Sequence, residues 1–114
     1  MKKTLLCLAL SLAGTTAVHA EDTLKKIKDS ASVTMGVRES SGALSYSLGD
    51  GRFAGFHVEV CERVLRDISK TLKLPSLSIK YQPVTPQNRI PLVANGTVDL
   101  ECGSTTNNLA RQKD

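Results

Sequence analysis

The stretch that decides the fold is "SLSIKYQPVTPQNRIPLVANGTVDLEC", residues 76–102. In its first third Leu77, Ile79 and Tyr81 alternate with Ser78, Lys80 and Gln82, the period of two that a half-buried strand requires. Thr85 followed by Pro86 gives an N-cap and then a proline at the first helical position, where a missing N–H costs nothing. The helix predicted from there runs to about Asn95 and is closed by Gly96, which can take the left-handed conformation of a C-terminal stop. "TVDLEC" then reads as a further strand with Val98, Leu100 and Cys102 on one face.

Working outward, residues 57–72 place Cys61, Val64, Leu65, Ile68 and Leu72 at spacings of three and four, with Glu62, Arg63, Arg66 and Asp67 elsewhere. This is an amphipathic helix for packing on a sheet, stopped before Pro75. Upstream, "LSYSLGDGRFAGF" carries Gly49, Asp50 and Gly51 between short apolar segments and reads as a β-hairpin. "SVTMGV", residues 32–37, is a buried strand running into the polar loop that begins with Arg38. "DTLKKIKDS", residues 22–30, reads as a short helix with Thr23 as N-cap and Leu24 and Ile27 on one face. The order β, hairpin, α, β, α, β argues for an α/β domain with a mostly parallel sheet flanked by helices.

The chain opens "MKKTLLCLALSLAGTTAVHA": Lys2 and Lys3, an apolar run from Leu5 to Leu12, then a small-residue end. This is the pattern of a secretory signal peptide over residues 1–20, too short in its apolar run for a membrane span, with cleavage expected after Ala20 and export to the periplasm. Removing it takes two of 15 basic residues and none of the 11 acidic ones, leaving 13 − 11 = +2 over residues 21–114. With no basic run, no Trp and aromatics limited to two Tyr and two Phe, nucleic acid is excluded as a partner. Cys61 and Cys102 remain in an oxidising compartment, where pairing is the default; two buried free thiols are the alternative. Two cysteines fall short of a metal ligand set, and no cofactor is implied.

In an open α/β sheet the loops at the carboxyl ends of the strands gather along one edge. Arg38, Arg89 and Arg111 should therefore meet Ser104, Thr105, Thr106 and the backbone N–H groups around Gly103 there. Guanidinium forks match carboxylates, and hydroxyls and amides satisfy the remaining lone pairs, so such a site suits a small dianion.

"GFHVEVCERV", residues 55–64, resembles the signature of the extracellular solute-binding proteins of family 3, the polar amino-acid receptors of ABC importers. "GVRESSGALSY", "QNRIPLVANGTVDLECGSTTNN" and "ARQK" resemble its glutamate- and aspartate-binding members in particular. The resemblance implies a type II periplasmic-binding-protein-like fold, of which residues 21–114 would form an incomplete first lobe. It implies that Arg38 and Arg89 clasp the side-chain carboxylate of L-glutamate or L-aspartate, that Ser104 and Thr106 add hydrogen bonds, and that Arg111 takes the α-carboxylate. Inner-membrane permease subunits would be the protein partners. Pro86 stands where those members usually have serine, removing one hydroxyl contact, and His57 stands where an acidic residue is common and is expected at the surface.

Two rivals remain. A cyclohexadienyl dehydratase-like enzyme on the same scaffold would need a general acid or base in the cleft, which three arginines and hydroxyls do not offer. A stand-alone or remnant lobe would act at most as an interaction module.

Overall fold

The computed structural model describes residues 20–113. The signal peptide expected over residues 1–20 thus falls, except for Ala20, outside the described residues. The elements are α1 (Ala20–Ser30), β1 (Ser32–Val37), β2 (Tyr46–Gly49), β3 (Arg52–Ala54), α2 (Phe56–Thr71), β4 (Ser78–Pro83), α3 (Arg89–Ala94), β5 (Leu100–Cys102) and a closing 3₁₀ turn (Arg111–Lys113). Among the described residues, no helix is long and apolar enough to cross a membrane.

β1 is the middle strand of a three-stranded sheet, in the order β4-β1-β5, and runs parallel to both neighbours. Val33, Met35 and Val37 project from one face of β1 and are fully buried. They form the core with Ile27 of α1, Val58 and Leu65 of α2, and Cys102 of β5. The other face is closely covered at Gly36, where a Cβ would stand only 3.0 Å from Val98 Cγ1. The hairpin β2–β3 is a separate antiparallel sheet whose tip, Gly49 to Gly51, takes positive φ throughout.

Several local expectations are corrected. α1 starts at Ala20, so Thr23 lies inside the helix and is not its N-cap. The buried stripe of α2 includes Val58 and leaves Val64 at 47% exposed, because the sheet meets the side of the helix that carries Val58 and Leu65. α3 is regular only from Arg89, although Thr85 does cap the turn before it: Asn88 N–H donates to Thr85 Oγ1 at 3.2 Å, and Thr85 N–H donates to Asn88 Oδ1 at 2.8 Å. β5 is shorter than "TVDLEC"; Val98 precedes it and packs on the Gly36 face, opposite Cys102. Gly96 does close α3, at φ 76°.

The start of α2 needs glycine. Gly55 has φ 129°, and a Cβ there would lie 2.5 Å from the Leu44 carbonyl oxygen. The first N–H groups of the helix, at Phe56 and His57, donate to the carbonyls of Ala43 (2.9 Å) and Leu44 (3.0 Å), so a loop satisfies donors that the helix itself cannot. Before β5, Asp99 ties three elements: it accepts Thr34 N–H at 2.8 Å and Lys26 Nζ at 2.7 Å, with its side chain only 3% exposed.

Candidate functional site

Register sets the site. Val37 pairs with Pro83 on one side and Cys102 on the other, so Arg38, Val84 and Gly103 follow side by side at the carboxyl edge of the sheet. The buried Ser45 hydroxyl fixes the first of these, accepting Arg38 N–H at 2.9 Å and donating to the Arg38 carbonyl at 3.2 Å. The Arg38 side chain passes over Gly103, and a Cβ on Gly103 would meet Arg38 Cγ and the Glu101 carboxylate.

Arg89 opens α3 and is only 8% exposed. Its Nη1 donates to Ser104 Oγ at 3.4 Å, while its Nε is buried without a partner. Arg111 is half-buried and donates from Nη1 to the Thr106 carbonyl at 3.0 Å. Its backbone N–H is taken by Asn108, through Oδ1 at 3.0 Å and the carbonyl at 3.1 Å, which anchors the closing turn.

Between α3 and the segment after β5 lies an open cavity of about 350 Å³. Its polar lining comes from Arg89, Glu101, Thr105, Thr106, Asn107 and Arg111, and its apolar lining from Ile90, Val93 and Ala94 of α3. Of the five ligand-binding residues expected from sequence, the structure brings Arg89, Thr106 and Arg111 to this cavity and joins Ser104 to it through Arg89. Arg38 stands at the neighbouring strand end and does not line it. Thr106 engages Arg111 with its carbonyl rather than its hydroxyl.

Two residues were missed or misplaced. Glu101 lines the cavity with a buried, unpartnered Oε1; its alternation with Leu100 and Cys102 was the available signal. His57 is half-buried, not a surface residue, and its Nδ1 contacts the Gly103 carbonyl. The Sγ atoms of Cys61 and Cys102 lie at bonding distance, 2.09 Å, with Cα atoms 6.3 Å apart.

A parallel sheet with a cation-bearing cavity at its carboxyl edge defines part of the first lobe of a type II periplasmic-binding-protein fold. Solved structures share it. The ancestral amino acid-binding protein AncCDT-1, a precursor of cyclohexadienyl dehydratase, matches 80% of this chain with 37% of its own at a TM-score of 0.69 and 19% identity. A solute receptor for L-cysteine of Neisseria gonorrhoeae matches 79% with 35% of its own, at a TM-score of 0.67 and 22% identity. At such identities the likeness concerns the fold alone.

Residues 33–114 match the bacterial extracellular solute-binding proteins, family 3, and the chain belongs to that family. It is 48% identical over 107 residues to the L-glutamate/L-aspartate-binding protein of Pseudomonas aeruginosa, covering 92% of this chain and 35% of that protein. To the glutamate/aspartate import solute-binding protein of Escherichia coli it is 42% identical over 113 residues, covering 96% and 37%. The chain thus spans about a third of the length of these relatives.

Proposed function

We propose that this chain forms part of the first lobe of a periplasmic receptor that delivers L-glutamate or L-aspartate to the inner-membrane permease subunits of an ABC importer. The observation that carries the reading is Arg89: a residue only 8% exposed, with a buried Nε that has no partner, lining a cavity shared with Arg111. A buried cation needs a compensating anion. Glu101 offers one negative charge against two guanidinium groups in that lining, so the cavity favours an anionic guest. The names of the relatives at 42–48% identity support an acidic amino acid as that guest.

In this reading Arg38 and Arg89 hold the side-chain carboxylate, Ser104 and Thr106 donate to it, and Arg111 takes the α-carboxylate. Residues 1–20 are the cleaved signal peptide, and Cys61–Cys102 is a disulfide formed on export. The test is an amide nitrogen–proton NMR titration with millimolar L-glutamate, L-aspartate and L-arginine. The acidic ligands should move the signals of Arg89, Ser104, Thr106 and Arg111. Equal movement with L-arginine, or none with any of the three, would overturn the assignment.

A further inference from the structure

We propose that His57 is a positioning residue of this site: its imidazole holds the Gly103 carbonyl and, through the peptide plane that follows, aims the Ser104 N–H at the bound anion. The inference rests on the anion-site reading above. Gly103 O can only accept, so the Nδ1 that contacts it must carry the hydrogen, and the neutral ring is the Nδ1–H tautomer. There are no cis peptide bonds among the described residues, so the Ser104 N–H points opposite to the Gly103 C=O in one rigid plane. With the carbonyl turned to α2, the N–H turns away from α2, toward the side where Arg89 Nη1 meets Ser104 Oγ. Among the described residues, no backbone carbonyl accepts that N–H.

Something must hold this plane. Gly103 is the least restricted residue type in φ and ψ, and a Cβ there would push against the Glu101 and Arg38 side chains. The Cys61–Cys102 contact secures the preceding residue by its side chain and leaves rotation about the Gly103 bonds open. His57 lies one helical turn before Cys61 and supplies the missing restraint. Its backbone also donates to Leu44 O, next to the Ser45 that clamps Arg38. One residue therefore ties the Arg38 strand end, through its main chain, to the Gly103 strand end, through its ring.

The test combines three measurements on the full chain. Two-bond nitrogen–proton spectra at pH 8.5 should show His57 as the Nδ1–H tautomer; the Nε2–H tautomer would overturn the proposal. His57→Asn keeps a donor near the Nδ1 position and should leave the Ser104 amide shift in place, whereas His57→Gln moves the donor outward and His57→Ala removes it, so both should shift it. An unmoved Ser104 amide in the Gln and Ala variants would also overturn it. Finally, L-glutamate should bind about tenfold more weakly to the Gln than to the Asn variant, the scale of one charge-assisted hydrogen bond, at equal thermal midpoints. Equal affinities would sink the role. Should the unaltered chain ignore L-glutamate altogether, the anion-site reading fails instead, and the tautomer and the Ser104 shift still decide His57.

Discussion

Reducing the Cys61–Cys102 pair should remove much of the stability of the chain. The two positions are 41 residues apart, and the segment between them holds most of α2, all of β4 and α3, and β5 up to its last residue. Closing a loop of that length lowers the entropy of the unfolded chain by about 13 cal/mol/K, or ~4 kcal/mol at 25 °C. A domain of this size has a stability on the order of 5–15 kcal/mol, so reduction removes a large fraction of it. Urea unfolding followed by far-ultraviolet circular dichroism, with and without a thiol reductant, measures the change. At a slope of about 1.5 kcal/mol per M the midpoint should fall by about 2 to 3 M. Coincident midpoints, or two titratable thiols in the unreduced protein, would refute the pairing.

Three further outcomes can be checked. Asp99→Ala strips the acceptor from Thr34 N–H and the partner from Lys26, and should cost about 2–3 kcal/mol in urea unfolding; a loss near zero would mean that Thr34 finds another acceptor. Gly55→Ala must place a Cβ against the Leu44 carbonyl at φ 129°, and a midpoint lowered by less than about 4 °C would contradict the crowding described at the start of α2. Burial, reinforced by the 2.6 Å hydrogen bond to Glu62, pushes the Tyr81 phenol up to about 12. The unfolded phenol ionises first, so stability should hold below pH 10 and fall as pH rises toward 12. Tyr81→Phe should remove that component of the fall, and identical alkaline profiles for the two proteins would be the contrary result.

The parallel sheet was legible because its evidence is local. Alternation over Leu77, Ile79 and Tyr81 and the stop at Gly96 lie within residues 76–102 and produce the elements expected of them, whereas the Thr85 cap serves a turn and α3 is regular only from Arg89. The ends of the elements were less so. "TVDLEC" alternates perfectly, yet Val98 is drawn to the opposite face by the space above Gly36, and pairing starts only at Leu100. On α2 Val64 satisfies helical spacing with Cys61 and Ile68, and Val58 with Cys61 and Leu65; contact with the sheet decides between them, and no pattern within the helix contains that information.

The site divides in the same way. Arg89, Thr106 and Arg111 meet at one cavity, as the convergence of strand ends by topology led one to expect. His57 was not foreseen, because its partner is 46 residues away and nothing in "GFHVEV" announces a carbonyl at that distance. Glu101 was passed over because the polar side of a short strand usually meets water, whereas here α3 encloses it.

Ser45 holds Arg38 entirely by main-chain atoms, one N–H and one carbonyl. The clamp is therefore blind to which side chain position 38 carries. The side chain at that strand end can change, cation for amide or hydroxyl, while the loop, the strand and the helix behind it keep their places. Side-chain chemistry and foldability are in that sense separately heritable at this position.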